Sequence, residues 1–178
     1  MPLLYASDLI TQYLPWYAIV QDNLRQFKLP FSLLAIGETG ILSPINSLIL
    51  LLFPFSTAVT LLYITYALIA TTGMIFFLRR FKLSLTSRLL AGLIFMLSGF
   101  MVSRYFQPSI IFSAALLPWG IAATNSLLLP IIIYLQITAG HLQIAFISAM
   151  AYAVYTFKPK TLLLIVLGFG LSAIQLLP

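Results

Sequence analysis

The chain contains no cysteine, which removes disulfides, thiolate metal sites and cysteine nucleophiles together. Charge is nearly as scarce. Charged residues make up 7% of the 178, against roughly 25% in an ordinary soluble domain. The carboxylates are three, Asp8, Asp22 and Glu38, and the histidine is one, His141, so a protein-built metal cage is not expected. Nine basic and three acidic side chains are too few to coat a globule of this size. The net charge of +6 does not point to nucleic acid, because the basic residues sit in short clusters between apolar runs, where orientation signals sit. The amino terminus lacks a basic start, an apolar core and a small-residue cleavage site, so it does not read as a signal peptide.

What is present is apolar. Hydrophobic residues are 62% of the chain and mean hydropathy is +1.10. About 20 apolar residues at ~1.5 Å each cross the hydrocarbon layer, and Ser56 to Leu78 meets that length without a formal charge. Backbone polar groups in lipid need internal partners, which leaves helices as the spanning element. The expectation is an all-α, polytopic transmembrane helix bundle, a single transmembrane domain over 1–178, multi-pass and in contact with membrane lipid.

Within it, 1–54 reads as an outer-face loop with an interfacial helix and a re-entrant segment. Leu9, Tyr13, Trp16, Tyr17, Val20, Leu24 and Phe27 share one side of a helical wheel. Asp8, Thr11, Gln12, Asp22, Asn23 and Gln26 share the other, as in a helix lying at the headgroup level. Pro15 suits a first turn, which predicts a main helix from about Pro15 to Lys28 and a separate turn over Asp8 to Leu14. The stretch from Leu29 to Pro54 is broken by prolines and glycines, and its apolar run Leu48 to Phe53 is too short to span.

The remainder, 55–178, carries about six apolar membrane segments: Ser56–Leu78, Leu89–Phe106, Ile110–Ala123, Leu127–Ala139, Leu142–Phe157 and Leu162–Leu177. Arg79, Arg80, Lys82 and Arg88 follow the first, and Lys158 and Lys160 precede the last. Basic loops mark the cytoplasmic side, so an even number of crossings separates the two clusters. Four crossings satisfy that. So do two, with 109–139 as a re-entrant hairpin. Either way Asp8, Glu38, Arg104, His141 and Gln175 fall on or near the outer face, where Arg25 and Lys28 are the other cations.

Each candidate for chemistry also has a plain structural reading. Asp8 precedes a helix and could cap it. Asp22 faces solvent, and Glu38 sits in the turn Gly37-Glu38-Thr39-Gly40. Arg104 could snorkel to headgroups. His141 and Gln143 set two polar groups between apolar stretches. Leu97-Ser98-Gly99-Phe100 reads as close helix packing through small residues.

Taken in order, these segments resemble YfhO-like bacterial membrane proteins of the GT-C superfamily, which use polyprenyl-phosphate sugars. Asp8 through Trp16 resembles that family's D…QYxPW segment. Gly37 through Gly40 with Ser43-Pro44-Ile45-Asn46 resembles its GQTG…YPxN. Phe76 through Arg80 resembles FLRR, and Phe95 through Phe100 FxxSGF. Leu117-Pro118-Trp119 resembles LPW, Ala139 through Gln143 AGHPQ with Leu142 in place of proline, and Ile174 through Pro178 xQLLP. The family's WNP…GxP stretch, expected between Phe31 and Leu33, is missing. Members are longer and begin with a further span, so the chain is expected to be the amino-proximal part of such a protein.

The resemblance implies a GT-C-like fold in the bacterial cytoplasmic membrane and sugar transfer on its outer face. The lipid-linked donor would be a polyprenyl-phosphate sugar and the acceptor a cell-envelope glycan, polymer or lipid. Asp8 would be the catalytic base, with Arg104 and His141 facing the leaving phosphate. Gln12 and Gln143 would hold sugar hydroxyls, with Glu38 also among the substrate-binding residues. The interfacial helix would border the donor's groove. A divalent metal, with donor phosphate supplying ligands, is compatible with this. Whether this chain is active by itself stays open, as do an inactive or structural membrane-protein fragment and part of a transporter. Against transport, the ionisable groups gather near one face and no paired broken-helix repeat is visible.

Overall fold

The computed structural model describes residues 8–28 and 37–176. The gap expected between Phe31 and Leu33 and the final Leu177-Pro178 lie outside the described residues. Those described are helical, with no strand among them. Among the described residues, the six apolar stretches of 55–178 are mostly helix.

The first helix differs from the sequence expectation. Asp8 to Leu14 is not a separate turn: a π turn, Leu9–Tyr13, runs directly into α1, Leu14–Arg25. The Leu14 amide bonds back to the Leu9 carbonyl, five residues away instead of four. That widened turn accommodates Pro15, which has no amide hydrogen to donate. Tyr13, Tyr17 and Val20 are buried on the predicted apolar side. Phe27 is not, because the helix has ended and its φ is 54°. Gln21 is buried instead, donating to the carbonyls of Leu50 and Phe53 at 2.6 and 2.9 Å.

Those carbonyls close α2, Pro44–Leu52, a helix of nine residues opened by Ser43. The Ser43 hydroxyl accepts from the Asn46 amide, and Pro44 takes the first-turn position where its missing N–H costs nothing. Next is α3, Phe55–Leu78, then a tight turn over Arg79–Phe81, α4 at Leu85–Met96 and α5 at Gly99–Ser103. Pro118 interrupts the following stretch, giving α6, Pro108–Ala115, and α7, Leu117–Ala122. The chain ends with α8, Leu128–Thr138, α9, Leu142–Thr156, α10, Pro159–Leu171, and α11, Ala173–Leu176.

Among the described residues, two stretches are long and apolar enough to cross a membrane, Phe55–Phe81 with 27 residues and Leu85–Ser103 with 19. Only 22% and 11% of their most apolar windows are buried. They therefore form the outside of the bundle, while the shorter α6 is buried along its whole length. Around α6 the interior is partly polar. The fully buried Gln136 donates to the Ser113 carbonyl at 2.9 Å and the Ser148 hydroxyl at 3.1 Å, and accepts from Tyr152 at 3.1 Å. Three helices, α6, α8 and α9, are thereby tied together through both atoms of one amide.

Close packing through a small residue occurs at Gly92, where an added Cβ would lie 2.9 Å from Thr71. It does not occur at Gly99, which has no atom within 4 Å of that position. Ser98 is extended there and starts α5, so the segment breaks the helix instead of crossing another.

The connections sort to two ends. Arg80 donates to the Tyr155 hydroxyl at 2.8 Å and the Ala122 carbonyl at 3.0 Å, and Thr161 donates to the Thr124 carbonyl at 3.0 Å. Both basic clusters therefore share one end of the bundle. The residues after α5 and those between α8 and α9 lie at the other, with Asp8.

Candidate functional site

At the Asp8 end, three connections converge. Asp8 opens the π turn but makes no capping bond to its own helix. Its Oδ2 instead accepts from Gln107 Nε2 at 2.9 Å. The other end of that amide, Gln107 Oε1, accepts from the Arg104 guanidinium at 3.0 Å. One side chain thus holds a carboxylate and a cation at a fixed separation. Gln107 is placed for this by Pro108, which starts α6 directly after it.

The second connection runs through Tyr13. Its hydroxyl lies 2.8 Å from the Ser109 hydroxyl and donates to Glu38 Oε2 at 3.5 Å. Burial, helped by the charge of Glu38, pushes the Tyr13 phenol up to about 12. It stays protonated and serves as a hydrogen-bond donor throughout the neutral range.

The third is a backbone contact. Glu38 lies in the short turn Gly37–Thr39, which packs against the loop between α8 and α9. Gly40 and Gly140 have φ of 63° and 106°, both in the region that L side chains avoid. A Cβ on Gly140 would sit 2.8 Å from the Glu38 carbonyl group. The approach leaves a cavity of about 250 Å³ lined by Glu38, Gly140, His141, Leu142 and Gln143. Gln175 lines a smaller one, about 90 Å³, on the other side of Gly140.

His141 is half-buried, and its Nδ1 is shielded from solvent without a hydrogen-bond partner among the described residues. Burial holds its pKa below the ordinary 6.5; Glu38 opposes that shift and Arg104 adds to it. The neutral form is favoured in the folded chain, so the unfolded chain takes up this proton first as pH falls. The stability linked to His141 is complete above 6.5 and declines as pH drops below it. We expect His141→Gln to flatten the pH dependence of Tm as pH falls below about 6.5. An unchanged slope in that variant would assign the loss to other groups.

Asp8, Glu38, Arg104, His141 and Gln143 thus gather at one end of the bundle. Gln12 is exposed on the π turn between Asp8 and Tyr13, and Asp22 is exposed farther along α1. Arg25 lies away from the group, donating to the Phe53 carbonyl at 3.0 Å, and Lys28 donates to Gln26. Gln107, Tyr13 and Ser109 join the group, though the sequence made none of them a candidate site residue and placed Tyr13 only on the apolar side of the first helix. Among the described residues no three of His, Asp and Glu are grouped as a metal would require. Asp8 accepts from Gln107 and Glu38 from Tyr13, so the two carboxylates serve separate hydrogen bonds.

Next to this end lies an apolar groove of about 350 Å³. It is walled by Tyr63 and Ile64 of α3, Met96 of α4, Met101 of α5 and Ile111 of α6, and it reaches Tyr105. Tyr63 stacks on Tyr105 at 4.6 Å and donates to its carbonyl, which fixes the groove beside Arg104. The named walls come from α3 to α6, not from α1. No protein-family model, curated protein or solved structure matches the chain.

Proposed function

We propose that the chain is a polytopic membrane bundle of GT-C-like, YfhO-like type. In this reading its Asp8 end transfers a sugar from a polyprenyl-phosphate donor to a cell-envelope acceptor, on the outer face of the bacterial cytoplasmic membrane. The observation that carries the reading is the Asp8–Gln107–Arg104 chain of hydrogen bonds. Inverting sugar transfer needs a base for the incoming hydroxyl and a cation for the departing phosphate, on opposite sides of the anomeric carbon. The Asp8 carboxylate takes the proton as the acceptor oxygen bonds to that carbon. The bond from carbon to phosphate oxygen breaks, and the phosphate leaves with the electron pair. Arg104 meets the charge that gathers there. Glu38, Gln143 and neutral His141 line the neighbouring cavity and offer hydrogen bonds to sugar hydroxyls, as does Gln12 from the π turn.

Other features support the membrane half of the reading. The exposed faces of α3 and α4 are apolar, including Ile64, Leu68, Leu93 and Ile94, and would be costly in water. The groove ending at Tyr105 suits an isoprenoid tail whose phosphate reaches Arg104. A transport path is less well supported, because the buried polar groups around Gln136 spend their bonds on one another.

Donor binding tests this directly. Arg104→Gln is expected to weaken binding of a polyprenyl-phosphate hexose in detergent about tenfold, with no change for a polyprenol lacking phosphate. Equal binding by both proteins would remove Arg104 from the phosphate.

A further inference from the structure

The opposite end of the bundle carries a different chemistry. Arg79, Arg80, Lys82, Arg88, Lys158 and Lys160 are six of the nine cations in the chain, and all three carboxylates occur before residue 39. In sequence the two basic clusters are far apart. The hydrogen bond from Arg80 to Tyr155, which are 75 residues apart, makes them one surface. Arg80 is spent on that contact, whereas Lys82, Lys158 and Lys160 are exposed.

Large apolar side chains are exposed among these cations. Leu127 is 76% exposed, Phe81 54% and Phe157 83%. Phe157 is the more unusual, because its φ is 38°. A bulky aromatic occupies the left-handed position that glycine usually fills after a helix. It stands at the tip of the turn between α9 and α10, directly before Lys158.

We infer that this end is a docking surface for the anionic phospholipid headgroups of the leaflet opposite the Asp8 site. Lysines and arginines meet the lipid phosphates, while Phe157, Phe81 and Leu127 enter the headgroup boundary. A nucleic acid would satisfy the cations but leave those apolar groups in water; a bilayer surface satisfies both. The inference rests on the membrane half of the reading above and is independent of sugar transfer.

The test uses the purified full chain in a mild detergent, with phosphatidylglycerol or phosphatidylcholine added at equal mole fraction. Carbonate extraction of expressing membranes comes first; release into the soluble fraction would overturn the membrane reading itself. For the integrated chain, phosphatidylglycerol should raise Tm by several degrees more than phosphatidylcholine, and added salt should shrink the difference. The combined variant Lys82→Gln, Lys158→Gln and Lys160→Gln alters only exposed groups. It should lose roughly fivefold in phosphatidylglycerol retention per cation removed. Phe157→Gly, which relieves the left-handed backbone, should stay folded yet also retain less lipid. Equal effects of the two lipids, full retention by the triple variant, or the same Tm rise with inorganic phosphate or RNA would overturn the docking surface.

Discussion

Asp8→Asn is expected to reduce sugar transfer about 10²- to 10⁴-fold with little change in Tm. The substitution is nearly isosteric, and the asparagine carbonyl still accepts from Gln107 Nε2, now 2.9 Å from the carboxylate. Arg104 keeps its place through the other end of the same amide. What disappears is the ability to take a proton. The loss should therefore appear in kcat and leave donor binding close to wild type. Asp22→Asn is the matched control, since Asp22 is exposed on α1 and should transfer normally. A fully active Asp8→Asn protein would end the assignment of Asp8 as base, and a capping role would not replace it, because Asp8 makes no capping bond.

The second large effect is on stability. Gly140→Ala should cost about 2–4 kcal/mol and abolish most transfer. Two independent causes act together. With φ at 106°, any L side chain at this position is strained. The added Cβ would also meet the carbon and oxygen of the Glu38 carbonyl at 2.8 Å. Backbone atoms cannot rotate aside as a flexible side chain can, so the Glu38 turn must separate from the His141 loop. That opens the cavity between them and shifts Glu38 from Tyr13. Gly99→Ala gives the contrast, since nothing lies within 4 Å of its Cβ position and Tm should change little. A Gly140→Ala protein with wild-type Tm would mean that the two turns do not interlock.

The helices were legible because their ends are written locally. The apolar run predicted from Ser56 to Leu78 is α3, Phe55–Leu78, bounded by Pro54 and by Arg79 and Arg80. The stretch predicted from Leu142 is α9, opened after Gly140. Two local features misled. Pro15 suggested a helix start, yet a π turn lets the helix run through it. Ser98-Gly99 suggested close helix packing through small residues, yet it is a break exposed at its glycine.

The site was only half legible. Scarcity alone draws attention to Asp8, Glu38, Arg104 and His141, because little else can carry charge. Gln107 gave no such signal: in sequence it is one amide before a proline. Its function in the site comes from a contact with a residue 99 positions away. Tyr13 and Ser109 are similar, since their bond spans 96 positions. Gln136 is likewise silent in the sequence, and only the packing of α6 and α9 around α8 supplies its partners. Contacts of this kind depend on the fold, not on spacing along the chain.

Most direct would be transfer by the wild-type chain itself, reconstituted in vesicles with a radiolabelled polyprenyl-phosphate hexose and a cell-envelope acceptor extract. The prediction is one polyprenyl phosphate released per sugar transferred, with inverted anomeric configuration in the product. A donor that stays intact, or one that breaks down no faster than in protein-free vesicles, would contradict it.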